Sequence, residues 1–91
     1  MIDRRQIRSR ILEMAESRSA EKTVCPSEVA RALGGTDEKV WRQLMAPIRQ
    51  EAVKLADEGH ILIKRKGRVV DPHEFKGIYR LSIVRGVTET E

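Results

Sequence analysis

The stretch Cys25-Pro26-Ser27-Glu28-Val29-Ala30-Arg31-Ala32-Leu33-Gly34-Gly35-Thr36-Asp37-Glu38 decides the architecture, because it contains a whole helix, its stop and the start of the next. Pro26 suits the first helical position, where its missing N–H costs nothing, and Ser27 is an alternative cap. Val29, Ala30 and Leu33 supply a short apolar face. Gly34-Gly35 ends it. Thr36 then suits an N-cap, and Asp37 and Glu38 complement the dipole of the following first turn. From there Trp41, Leu44, Met45, Ile48, Ala52, Leu55 and Ala56 recur at helical spacing as far as Gly59. Pro47 interrupts this run and disfavours helical angles at Ala46, so the spacing predicts a kink there or two helices in close succession.

Towards the N-terminus, Asp3 and Gln6 have the spacing of a capping box, and Ile2 and Ile7 that of a hydrophobic staple. Ile7, Ile11, Met14 and Ala15 form one stripe of a first helix that fades near Ser17–Ala20. Thr23 and Val24 are too few for an independent strand but suit a short partner for a later hairpin. Towards the C-terminus the period changes to two: Ile61 and Ile63, then Tyr79, Leu81 and Ile83, with Arg80 and Ser82 between them. Gly67, Asp71-Pro72 and Gly77 are turn chemistry, so residues 66–77 are expected to form one extended basic loop of a long hairpin. Residues 1–85 make one α+β domain of three or four helices followed by a β-hairpin, and residues 86–91 a flexible tail.

Over residues 3–84 this order resembles a winged helix-turn-helix domain, carried by the segment from Pro26 to Leu33, the Gly34-Gly35 turn, the helix from Asp37 and the hairpin from Ile61 to Leu81. More closely, the chain is similar to a family of small bacterial proteins of unknown function. The shared features are Cys25-Pro26-Ser27-Glu28-Val29-Ala30, Trp41-Arg42 and a late segment from Gly67 to Gly77 containing Val70-Asp71-Pro72. The resemblance implies a winged helix, in which the third helix enters the major groove and the wing touches backbone or minor groove.

Ninety-one residues, 40% of them hydrophobic, suffice for a modest core but leave little material for a deep substrate pocket. The single cysteine, Cys25, cannot form an internal disulfide, which fits a reducing cytoplasm. No apolar run approaches a membrane span, and the basic start lacks the apolar segment of a secretory signal. The net charge of +4 is unevenly spread. Arg4, Arg5, Arg8 and Arg10 crowd the first helix, and Lys64, Arg65, Lys66, Arg68, Lys76 and Arg80 crowd the late hairpin against only Asp71 and Glu74. Such separated patches suit a polyanion site or simply a solvated surface.

Double-stranded DNA is the leading partner. Opposite Trp41, Leu44 and Ile48, the third helix carries Lys39, Arg42, Gln43 and Arg49, residue types that pair with guanine and adenine edges or neutralise phosphate. Lys64, Arg65, Lys66 and Arg68 suit a wing that grips phosphates. Asp37 and Glu38 at the helix start count against this, as they would repel phosphate. Trp41 and Tyr79 are expected inside, and Phe75 is expected to fold back and close its loop. Cys25, His60 and His73 show no ligand or nucleophile spacing, so no metal, cofactor or catalytic residue is expected. The alternative is a protein-interaction module or homodimer, in which the N-terminal arginines meet an acidic partner and the hairpin edge accepts a strand.

Overall fold

In the computed structural model, which describes residues 2–18 and 22–84, four α-helices, the last two joined through a 3₁₀ turn, precede a small three-stranded antiparallel sheet. This is an α+β arrangement compatible with a winged helix. Helix α1 (Arg4–Glu16) is capped by the reciprocal pair expected. Asp3 Oδ1 accepts the Gln6 amide at 3.0 Å and Gln6 Oε1 accepts the Asp3 amide at 2.9 Å. The stripe Ile7, Ile11 and Ala15 is buried, with Ile2 and Met14 packed at its margin. Ser17 caps the end; Ser19 and Ala20, where the helix was expected to fade, lie outside the described residues, as does the expected tail at 86–91.

Helix α2 (Pro26–Gly34) begins with Pro26 at its first position, and Cys25 rather than Ser27 stands at the cap. The reason is Glu28, whose carboxylate accepts the Cys25 amide at 3.1 Å and leaves Ser27 inside the first turn. Helix α3 (Glu38–Trp41) is likewise capped one residue later than expected. Asp37, not Thr36, accepts an amide, that of Lys39, at 3.0 Å. A 3₁₀ turn, Arg42–Leu44, then leads into α4 (Met45–Asp57). This is the expected close succession of two helices. A proline at position 47 offers no N–H to the Gln43 carbonyl, and its ring crowds that oxygen, so regular α-helical bonding resumes only after the tighter turn.

Strands β1 (Ile61–Arg65), β2 (Arg68–Val69) and β3 (Arg80–Ile83) form a sheet in the order β2-β1-β3. Ile61 pairs with Ile83 and Ile63 with Leu81. Val24 adds the short partner expected of it, exchanging both backbone hydrogen bonds with Leu81 at 2.8 and 2.9 Å. The hairpin differs from expectation. Instead of one loop over residues 66–77, the chain reverses at Lys66-Gly67, and Arg68–Val69 pair back onto β1. Both turn residues have positive φ, 53° and 81°, as a two-residue type I′ hairpin demands. Residues 70–79 form a separate return loop.

That loop is pinned to α4. Phe75 and Tyr79 are buried with ring centroids 5.0 Å apart, which closes the loop as expected. Asp71 Oδ1 accepts the His73 amide at 2.9 Å, the side-chain turn that Asp71-Pro72 suggests. The core is one cluster in which Ile11, Ile48, Leu55, Ile61, Ile63 and Leu81 are the largest fully buried side chains. Trp41, expected inside, instead sits half-buried at the margin, because α3 is only one turn long and rides on the edge of the cluster. Its ring faces the Arg31 guanidinium at 5.4 Å.

Candidate nucleic-acid interface

The eight candidate residues fall into different surroundings. Lys39, Arg42 and Gln43 line one shallow depression on α3 and the 3₁₀ turn, together with Glu38. Glu38 stands one turn before Arg42 and forms an ion pair with its guanidinium. Asp37 is held by the cap. The helix surface is therefore close to charge balance, and Lys39 and Gln43 are its candidate contacts that face solvent without an ion pair.

Arg49 stands apart from that group. It lies half-buried on α4, its guanidinium 4.0 Å from the centre of the Phe75 ring, and donates to the Phe75 carbonyl at 2.8 Å. Beside it, the His73 ring meets the Asp57 carboxylate at 2.9 Å. Arg49 and Asp57 thus anchor the return loop to α4.

The hairpin gathers the rest. Lys64, Arg65 and Lys66 share a depression with Gly77, Ile78 and Arg80. Arg68 lies directly across from Arg65 in the antiparallel register, and Lys64 lies across from Arg80 on the other side. Like charges placed opposite one another destabilise a strand pair. No carboxylate among the described residues forms an ion pair with any of these five cations. Arg65 Nε donates to the Ile78 carbonyl at 2.9 Å, and its guanidinium comes within 3.1 Å of where a side chain at Gly77 would begin. Gly77, at φ 84°, both permits the turn and leaves room for that guanidinium. Arg80 donates to the Thr23 hydroxyl.

Arg80 was counted in the basic hairpin but not among the expected DNA contacts, and Ile78 was not singled out at all, although a signal was present. If Tyr79, Leu81 and Ile83 point inward, alternation turns Ile78 and Arg80 outward. Ile78 is 83% exposed and Val69, on β2, 57%.

Elsewhere several of the basic residues are paired. Arg4 approaches Glu51 at 3.9 Å, Arg8 pairs with Glu58, Arg10 with Glu13 at 3.5 Å, and Arg18 with Glu28 at 3.4 Å. The N-terminal cluster that suggested an acidic partner is thus largely neutralised by α1 and α4, with Arg5 the member for which no described ion pair exists. Hydrogen bonding from the Cys25 amide, then from Arg18, holds the Glu28 carboxyl below its usual pKa. Cys25 is half-buried with Sγ 3.0 Å from the Ser27 hydroxyl. His60 and His73 lie against Glu58 and Asp57. Among the described residues no group of three or more His, Cys, Asp or Glu side chains is placed to hold a metal, and no helix is long and apolar enough to cross a membrane.

The model of a family described as a protein of unknown function, DUF3253, matches residues 4–84, and the chain belongs to that family. No curated protein matches the chain significantly.

Proposed function

We propose that this DUF3253 protein is a winged-helix protein that binds double-stranded DNA, with its β-hairpin as the principal contact. One observation carries the reading. Lys64, Arg65, Lys66 and Arg68 are gathered on the hairpin beside Arg80 with no ion pair to a carboxylate among the described residues, whereas Arg4, Arg8, Arg10, Arg42 and Lys54 on the helical elements each have one. A fold that neutralises its helices and leaves like charges opposed on one hairpin carries an unfavourable local field that a polyanion relieves. The helix surface of Lys39, Arg42 and Gln43 contributes less, since Glu38 already engages Arg42.

Fluorescence anisotropy of a labelled duplex of random sequence, titrated at low and moderate salt, tests this. Binding that weakens steeply with salt supports it, because each phosphate neutralised releases counterion. A folded sample that leaves the duplex free at low salt overturns it. The alternative is an interaction module of the same fold without DNA binding. The exposure of Val69 and Ile78 favours it, and it calls for binding that salt hardly affects.

A further inference from the structure

The return loop buries Phe75 and Tyr79, packs Val70 against the core margin and presents Ile78. Phe75 and Tyr79 enter the core, while Ile78, between the Gly77 turn and Tyr79, is the most exposed large hydrophobic residue described. Its position is held from both sides: Arg65 donates to its carbonyl at 2.9 Å, and the next residue is locked into the core. Around it stand Lys64, Arg65, Lys66 and Arg80. A projecting branched aliphatic side chain ringed by cations is matched by a surface with an apolar cleft between two anionic rims. The minor groove of duplex DNA becomes such a surface where a base step parts: it is about 6 Å wide, too narrow for a helix and bordered by phosphates on both sides, and although its floor carries hydrogen-bond acceptors the parted base faces are apolar. Isoleucine is among the side chains that minor-groove proteins push between base pairs to kink the duplex.

Resting on the DNA reading above, we infer that Ile78 is a wedge that enters the minor groove and unstacks a base step, while Lys64, Lys66 and Arg80 hold the flanking phosphates. Pyrimidine–purine steps, which unstack most easily, are then the preferred sites, and stiff A-tracts are disfavoured. The test uses the full chain and a short duplex carrying a donor and an acceptor dye at its two ends, with a central TpA step or a central A-tract. Wild-type protein brings the ends of the TpA duplex together and binds it more tightly than the A-tract duplex. Ile78→Ala and Ile78→Ser, at a solvent-facing position, keep the thermal midpoint and the salt slope of binding, lose severalfold in affinity and leave the duplex straight. Binding by wild type without bending, or equal bending by the variants, overturns the wedge and leaves the DNA reading standing. Absence of duplex binding at low salt overturns both. Capture of the protein by phosphatidylserine vesicles or by a polyglutamate–leucine peptide, with DNA inert, would place Ile78 in a membrane or protein contact instead.

Discussion

Tyr79 has a buried phenol oxygen with no hydrogen-bond partner among the described residues. Burial pushes its pKa from 10.0 up to about 12, since the phenolate is the form that suffers from desolvation. The folded state therefore holds this proton more tightly than the unfolded chain. The associated stability is intact below pH 10 and is lost as pH rises through 12, a term on the order of 2–3 kcal/mol. Tyr79 is the single tyrosine, so the tyrosinate absorbance of the native protein should show one transition near the upper value, and a midpoint at 10 would contradict this account. Removing the orphan hydroxyl in Tyr79→Phe should leave stability unchanged or raise it by up to about 1 kcal/mol in urea unfolding. Glu28 behaves in the opposite sense. Its pKa is lowered, so its contribution is present above its ordinary value of 4.5 and disappears as pH falls through the folded-state value. The stability gap between wild type and Glu28→Gln should shrink on acidification from pH 7 to pH 3. A gap that stays constant would mean that the Cys25 and Arg18 contacts do not depend on the carboxylate charge.

At the scale of elements, the return loop is joined to α4 chiefly through Arg49. By helical spacing alone this arginine, opposite Ile48, falls on the expected DNA-reading face. Which loop packs there is not legible locally, since Arg49 and Phe75 lie 26 positions apart in the chain. The stacking on Phe75 and the bond to its carbonyl imply a structural role. Arg49→Ala should lower stability by about 1–2 kcal/mol in urea unfolding. The salt slope of duplex binding should stay where it was, whereas a slope that falls by nearly one unit would return Arg49 to the interface. The hairpin turn offers a contrasting case. Lys66 holds a left-handed conformation at φ 53°, costly for a residue with a side chain. Lys66→Asn should raise the thermal midpoint, by a gain of about 0.5–1 kcal/mol, and weaken DNA binding at the same time. A variant that improves both would remove Lys66 from the proposed contact.

Over the whole molecule the consequence is electrostatic. If each hairpin cation meets one phosphate, replacing Lys64, Lys66 and Arg68 together by alanine should make the slope of log K against log salt shallower by about 2–3 units. The same replacement on the helix surface, at Lys39 and Arg42, should change it by less, because Arg42 is already paired. Equal effects from both surfaces would mean that helix and hairpin share the backbone contact evenly. The single tryptophan, Trp41, lies beside the helix surface, so a change in its fluorescence on adding DNA reports on that surface separately from the hairpin.

Local chemistry made most of the elements legible. The Asp3–Gln6 box, Pro26 at the helix start, the Pro47 break and the alternation from Tyr79 to Ile83 all act over a few residues, so spacing alone identified them and with them the α+β class. The cap of α3 falls one residue later than its spacing suggests, and the choice at α2 between Pro26 at the first position and Ser27 as cap was settled by Glu28, because which side chain takes a free amide depends on small differences in backbone angle. Two features were decided only by tertiary structure. The chain turns early at Lys66-Gly67 because Arg68 and Val69 find β1 as a partner, which no single segment specifies. Two of the four arginines of α1, Arg4 and Arg8, are engaged because Glu51 and Glu58, some fifty residues away, pack against them. Beyond the local pairs Arg10–Glu13 and Arg42–Glu38, that distant pairing distinguishes the helix charges from those of the hairpin, since a charge is free or engaged according to what folding brings within a few ångströms of it.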